Sequence, residues 1–237
     1  MNCIRNRTRN YDEFAAEAES FVLAGGRSLR MGSDKAMVRL GGRSLIEIAL
    51  QKLRTFSNNG CTLKIAGEPR IAGTRPDLAA YAPIVEDLHS GCGPLGGIEA
   101  SLAASSRPLN LFLPVDLPLL PAAVLSWMFE RAVLTGALVT YPRAGGRLQP
   151  LCAVYHRDLL VPLSRAMDAG ERRVINGVAA AAHEVARESQ AIDIFDVEVA
   201  AAASPELKLS SPLPIYSWFQ NCNTPQDLAS IAILSGS

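Results

Sequence analysis

The residues best suited to chemistry crowd into one stretch, FVLAGGRSLRMGSDK, running from Phe21 to Lys35. Phe21, Val22 and Leu23 form a short apolar strand, and Gly25 and Gly26 then let the backbone turn sharply and approach a ligand with no Cβ in the way. Backbone N–H groups in such a turn point at anions. Arg27, Arg30 and Lys35 follow within one loop, Arg offering a fork and Lys a compact charge to the roughly four negative charges of a nucleoside triphosphate. Leu23, Ala24, Gly25, Gly26 and Lys35 are therefore expected to bind a nucleotide, with Lys35 and Arg30 acting on the phosphates that react. A solvated β-to-α turn would use the same residues. The stretch is no Walker A loop, because Lys35 is preceded by Asp34 and followed by Ala36, and the chain has no G-x-G-x-x-G dinucleotide fingerprint.

Asp116 directly follows the apolar run LNLFLPV and so falls at the carboxyl end of a strand. There it is a candidate ligand for Mg²⁺, which takes one or two carboxylates together with substrate phosphates. Capping the turn before Pro118 is the alternative. Asp87 precedes a second glycine-rich turn, Gly91 to Gly97, which contains Gly93, Pro94 and Leu95. Three further polar groups stand out: Arg147 and Gln149 in GGRLQPL, Arg172 and Arg173 in GERRV, and Asn221, Asn223 and Thr224 in NCNTPQD. An exposed arginine pair and a simple helix cap are the plain readings of the last two.

The elements that must position these residues alternate between strand and helix. Ser44 and Glu47 form a capping box ahead of Leu45, Ala49, Leu53 and Phe56 at helical spacing. Thr62 to Ala66, Pro83 to Val85 and Leu109 to Val115 read as strands, with an Ala-rich helix expected from about Ile98 and another through Val124 to Val133. Ala137 to Tyr141 and Pro150 to Tyr155 are two more strands. Asp158 is expected to cap a helix that Gly170 stops, and Thr224-Pro225-Gln226-Asp227 opens a terminal helix. Between His183 and Pro214, the alternation of Ile192, Ile194, Val197 and Val199 suggests strand, while Ala200 to Ala203 could be helix or loop. Such β-α repetition predicts an α/β fold, a mostly parallel central sheet with helices on both faces and ligands at the carboxyl ends of the strands.

At 237 residues, 49% hydrophobic and 19% charged, the chain is expected to form one domain over residues 20–237, with residues 1–19 as a polar extension. Lys+Arg and Asp+Glu are equal at 23 each, so no global field favours nucleic acid and any anion site must be local. Five dispersed cysteines and three histidines show neither zinc spacing nor a disulfide framework. With no bilayer-length apolar run and no signal-peptide core, the expectation is a cytoplasmic protein away from membranes.

The string LAGGxSxRMGxDK resembles the signature of the molybdenum cofactor guanylyltransferases, and the likeness extends from about residue 21 to 230. It implies a three-layer, Rossmann-like nucleotidyltransferase fold and transfer of GMP from GTP to the terminal phosphate of molybdopterin, with Mg²⁺. PVDLP is similar to the family's P-x-D-x-P, which implies that Asp116 binds magnesium and nucleotide. Asp87 resembles the family's acidic contact to the guanine nucleotide, and Gly93, Pro94 and Leu95 its GPLxG turn. Arg147, Gln149, Arg172, Arg173, Asn221 and Asn223 fall in segments that resemble the acceptor side. Where the family commonly has an Asn after the second strand, this chain has Gly67, so a backbone contact or another side chain would have to substitute. Molybdenum-insertion proteins, apo-molybdoenzymes and their chaperones are the further partners implied. A cytidylyltransferase on the same pterin, another small-molecule nucleotidyltransferase, and a nucleotide-binding partner protein without turnover are the alternatives; LAGG rather than LAAG favours guanine by resemblance.

Overall fold

The computed structural model describes residues 18–24, 34–56, 62–67, 78–89, 91–186 and 190–236. Gly25, Gly26, Arg27 and Arg30 of the basic loop, and residues 1–17 of the expected extension, lie outside the described residues.

The strands are β1 (Glu19–Leu23), β2 (Arg39–Leu40), β3 (Arg43–Ser44), β4 (Thr62–Gly67), β5 (Ile84–Glu86), β6 (Leu109–Pro114), β7 (Val139–Ala144), β8 (Arg147–Leu148), β9 (Ala153–His156) and β10 (Ile192–Asp196). The helices are α1 (Leu45–Phe56), α2 (Gly93–Ala104), α3 (Ala122–Thr135), α4 (Leu160–Asp168), α5 (Val174–Val185), α6 (Val197–Ala203), α7 (Pro205–Leu209) and α8 (Pro225–Ser235). One sheet runs β10-β7-β9-β6-β1-β4-β5, with β8 paired to β7. Pairings of β1 with β4 and β6, β4 with β5, and β7 with β10 are parallel, whereas β9 runs antiparallel between β6 and β7.

Period-two alternation sends neighbouring side chains of each strand into different cores. In β1, Val22 packs with α1 and α3, including Leu45, Leu53, Val124 and Phe129. Its neighbours Phe21 and Leu23 face the other layer, with Leu95, Ile98, Leu163 and Val178 from α2, α4 and α5. β6 divides likewise, Leu111 and Leu113 to the first side and Phe112 to the second. Three layers result, as the strand-helix alternation predicts.

Local signals set several element boundaries. The backbone N–H of Ser44 donates to Glu47 Oε2 at 2.7 Å, closing the expected box at the start of α1. At α8 the Thr224 hydroxyl accepts from Asp227 N at 3.1 Å while Asp227 Oδ2 accepts from Thr224 N at 2.8 Å. Gly170, at φ 96°, ends the α4 segment in a conformation that side chains rarely adopt.

Three expectations need correction, and one element was not expected. The second glycine turn is mostly helix: α2 begins at Gly93, several residues before Ile98, because Pro94 suits a first turn that has no intrahelical acceptor for its missing N–H. His156, not Asp158, caps the turn before α4, its Nδ1 accepting from Asp158 N at 3.2 Å. Val197 and Val199 belong to α6, so the alternating run is strand only through Asp196. Finally, α5 arises from VINGVAAAAHEV, to which no element was assigned from sequence.

Candidate active site

Parallel pairing brings the carboxyl ends of β1, β4, β5 and β6 to one edge. Three backbone bonds tie that edge together: Val115 N to Leu23 O at 3.1 Å, Ala24 N to Ala66 O at 2.9 Å, and Asp87 N to Gly67 O at 3.2 Å. The chain leaves β1 toward β4 and β5 on one side and later returns to β6 on the other. Such a switch point opens a crevice where open α/β sheets take ligands.

A pouch at this crevice is lined by Leu23, Lys35, Gly67, Asp87, Pro94 and Asp116, together with Gly93, Gly97 and the apolar walls Ala66, Pro114, Val115 and Leu151. Lys35 opens a short 3-10 turn whose preceding residue, Asp34, accepts from Ala36 N at 3.0 Å. From there its ammonium reaches Asp116 Oδ2 at 2.7 Å. Asn223 Oδ1 also accepts from Lys35 Nζ. The other oxygen of Asp116, Oδ1, is buried and has no hydrogen-bond partner among the described residues. A hard anionic oxygen left open at a strand end suits a magnesium ion that draws its remaining ligands from phosphates and water. No group of three or more His, Cys, Asp or Glu side chains converges among the described residues, so the residues present fit a shared rather than an all-protein metal site.

Asp87 lies against the first turns of α2, beside two glycines. A Cβ on Gly97 would stand 3.4 Å from Asp87 Oδ1, and one on Gly96 would stand 3.8 Å from Oδ2 and 3.2 Å from Cys92 Cβ. The positive end of the helix favours a carboxylate there. Leu95, by contrast, is wholly buried with its side chain against Gly177, where a Cβ would come within 3.1 Å of Leu95 Cδ2. It supports the pouch from behind; truncating such a core leucine to Ala costs about 2–5 kcal/mol. Ala24 is likewise a buried strand-end residue that contributes backbone. Gly67 lines the pouch at the place where an Asn was expected, so this chain presents backbone there.

A second cavity, of about 560 Å³, shares Pro114, Asp116 and Leu151 with the pouch and extends past Gln149, Arg173, Asn176, Asn221 and Asn223. The carboxyl-terminal segment is fixed beside Asp116 by Cys222 N, which donates to Asp116 O at 3.0 Å. Burial raises the Cys222 thiol, and the Asp227 carboxyl is held below its usual range first by the Asn223 N–H and then by the Thr224 hydroxyl. Arg172 and Arg173 part company. The Arg172 guanidinium turns back to the carbonyls of Met167 and Glu171, at 2.6 and 2.8 Å, and lines neither cavity. Glu171 accepts from the N–H groups of Arg173 and Arg172, which keeps its carboxyl below the ordinary range and sets the turn. Arg147 is exposed on β8 and also lines neither cavity.

Sequence reasoning missed Lys52, which donates to the carbonyls of Leu117 and Pro118 at 2.8 and 2.7 Å. Its signal was present: seven residues after Leu45 and three after Ala49, it puts a cation on the apolar stripe of α1. Asn176 and Leu151 were missed too, and nothing in their local sequence marks them.

A three-layer α/β fold with a cation-carboxylate pair and a second carboxylate at its switch point suits a protein that binds a nucleotide. The sequence pattern of the MobA-like NTP transferase domain matches residues 20–186. Over 209 residues the chain is 31% identical to the molybdenum cofactor guanylyltransferase of Xanthomonas euvesicatoria pv. vesicatoria, covering 86% of this chain and 89% of the relative. It is 37% identical over 158 residues to a probable molybdenum cofactor guanylyltransferase of Chloroflexus aggregans, covering 65% of this chain and 72% of that one. The fold matches the molybdopterin-guanine dinucleotide biosynthesis protein A of Archaeoglobus fulgidus with a TM-score of 0.70 at 24% identity, over 92% of this chain and 98% of the other. It also matches, at 0.58 and 18% identity over 92% and 98%, the 2-C-methyl-D-erythritol 4-phosphate cytidylyltransferase of Thermus thermophilus. This chain belongs to the MobA-like NTP transferase domain family, among the molybdenum cofactor guanylyltransferases. Among the described residues no helix is long and apolar enough to cross a membrane.

Proposed function

We propose that this enzyme transfers GMP from GTP to the terminal phosphate of molybdopterin, with or without its molybdenum, giving molybdopterin guanine dinucleotide and pyrophosphate. The observation that carries the reading is Asp116, whose carboxylate stands in the wall common to both cavities. Two substrates lodged one in each would meet at that residue. The pouch takes the nucleotide: Asp87 presents carboxylate acceptors suited to the adjacent N–H donors of guanine, and the Gly67 backbone takes the place of the absent Asn. The second cavity takes the acceptor, with Gln149, Arg173, Asn221 and Asn223 as its polar contacts.

An ionised phosphate oxygen on the acceptor needs no general base, so the residues act by positioning and by stabilising charge. Lys35 holds phosphate oxygens with a compact ammonium, supported by Arg30 and the amides of Gly25 and Gly26 in the loop before it. Asp116 would hold Mg²⁺, which would neutralise charge on the reacting phosphate and the leaving pyrophosphate. Asn223 keeps Lys35 on the Asp116 side of the cleft. Residues 20–237 act as one catalytic domain, with residues 1–19 as an extension. The buried free thiols Cys92, Cys152 and Cys222 suit the reducing cytoplasm, where the product would pass to molybdenum-insertion proteins, apo-molybdoenzymes or their chaperones.

Pyrophosphate release by the purified chain with molybdopterin and either GTP or CTP tests the reading. Release with GTP well above CTP is expected. Preference for CTP would make it a cytidylyltransferase, and GTP binding without pyrophosphate release would make it a partner protein.

The two neighbouring arginines offer a sharper check. Arg173→Ala is expected to raise the KM for molybdopterin about tenfold while GTP affinity stays unchanged, since a charge-assisted contact to phosphate is lost. Arg172→Ala should lower thermal stability, because its guanidinium satisfies two carbonyls, and leave the KM for molybdopterin alone. If Arg172→Ala impairs the acceptor and Arg173→Ala does not, the roles have been given to the wrong residues.

A further inference from the structure

Asp116 must stay at one place in the wall between two substrates, yet the chain that follows it is poorly equipped to hold itself. Pro118 and Pro121 lack N–H groups, and the turn's own bond, Leu120 N to Leu117 O, is long at 3.4 Å. Upstream, Val115 N is fixed on Leu23 O, and at Asp116 itself the carbonyl is held by Cys222 N. Downstream, the carbonyls of Leu117 and Pro118 both accept from Lys52 Nζ, at 2.8 and 2.7 Å. These three ties come from three parts of the chain: β1, the carboxyl-terminal segment and α1.

We propose that Lys52 is a positioning residue for Asp116: reaching across from α1, its ammonium clamps the two peptide carbonyls that follow Asp116 and so fixes the carboxylate in the orientation that the metal and the nucleotide require. This rests on the metal role proposed for Asp116. A lysine suits the task because three rotatable donors on one atom can bond two successive carbonyls at once. It is an unusual residue to find there. Leu45, Ala49 and Leu53 of the same helix are buried in the core, and the stripe they make would ordinarily be completed by another apolar side chain. Lys52 as a whole is half-buried, but its ammonium end is enclosed enough that desolvation draws it down to about 7; Arg43 pushes the same way and Cys152 opposes. A cation that is costly to bury and, among the described residues, hydrogen-bonded only to backbone beside a reacting carboxylate is better explained by a need for geometry than by a need for stability.

The test compares full-length wild type with Lys52→Met, Lys52→Arg and Asp116→Asn, all checked for folding by circular dichroism. Calorimetry gives the affinity for GTP in EDTA and again with Mn²⁺, and the ratio of the two measures how much the metal tightens binding. In Lys52→Met this ratio is expected to fall about tenfold, as when an outer partner of a metal ligand is removed, with metal-free GTP affinity within about twofold of wild type. The kcat/KM for GTP measured with metal should fall in parallel, and Lys52→Arg, which can also span two carbonyls, should recover much of both. A merely structural lysine would lower the unfolding midpoint and leave the Mn²⁺ ratio at its wild-type value, and that result overturns the proposal. If Lys52→Met does not fold, Lys52→Gln takes its place, with a reduced ratio supporting the clamp and a wild-type ratio refuting it. Loss of the Mn²⁺ effect in Asp116→Asn alone would sink the clamp and spare the metal site. A wild-type Mn²⁺ effect in Asp116→Asn would instead remove the metal reading itself.

Discussion

Asp116→Asn is expected to leave the fold intact and reduce magnesium-dependent pyrophosphate release on the order of a thousandfold or more, the equivalent of several kcal/mol of transition-state stabilisation. The substitution changes charge and hardly any volume. The backbone ties at this position, Cys222 N to Asp116 O and Lys52 to the next two carbonyls, do not involve the side chain and should survive. What disappears is the negative charge shared by the oxygen beside Lys35 and by Oδ1, which has no hydrogen-bond partner among the described residues, and one of these two oxygens becomes an amino group. An amide is a poor ligand for a hard dication, so raising magnesium should recover little activity. Steady-state rates over a magnesium titration, alongside thermal unfolding, check this. A folded variant with rates near wild type at low magnesium would refute the metal role, and equal losses of stability and rate would point to a structural carboxylate.

The convergence of Asp87 and Asp116 was legible in the sequence because each follows a strand that is readable by itself, and Lys35 was legible as part of the basic stretch that comes after β1. Leu109 to Val115 is apolar almost throughout, and a strand buried on both faces in a parallel sheet reads that way. Once those strands are taken as parallel, the residues after them must share an edge. The capping boxes at Ser44 and Thr224 were legible for a different reason: they are closed within four residues. Antiparallel β9, by contrast, depends on which strand lies next to which, and no local signal encodes that.

α5 was missed because Gly177 and the β-branched Val174 and Ile175 weaken its helical signal, and the close contact at Gly177 is with Leu95, far away in sequence. The second glycine turn misled for a related reason. Gly96 and Gly97 look like turn formers, but they stand inside a helix, packed closely enough that a Cβ on Gly96 would come within 3.2 Å of Cys92 Cβ. With the arginine pair, residue type announced charge but not direction: the turn made by Glu171 sends the guanidinium of Arg172 back to its own chain.

Lys35→Ala should lower kcat/KM for GTP by about a hundredfold or more, since it removes a charge aimed at phosphates in a site partly shielded from water. Stability should change by no more than about 1 kcal/mol, the usual scale for an ion pair that solvent still reaches. That expectation follows from the side-chain exposure of the pair, 17% for Lys35 and 20% for Asp116. Lys35→Glu should be worse than Lys35→Ala, because it sets a second carboxylate against Asp116 and repels the substrate as well. Lys35→Arg should restore little, as a planar fork cannot reproduce a compact ammonium shared between Asp116 and Asn223. Asn223→Ala, which frees Lys35 without removing its charge, should have a smaller effect on GTP, and combined with Lys35→Ala it should add almost nothing. The measurement is kcat/KM for GTP in the two single variants and the double variant. Strict additivity would mean that Asn223 acts independently of Lys35, and an unchanged value in Lys35→Ala would return the lysine to the status of a solvated loop charge.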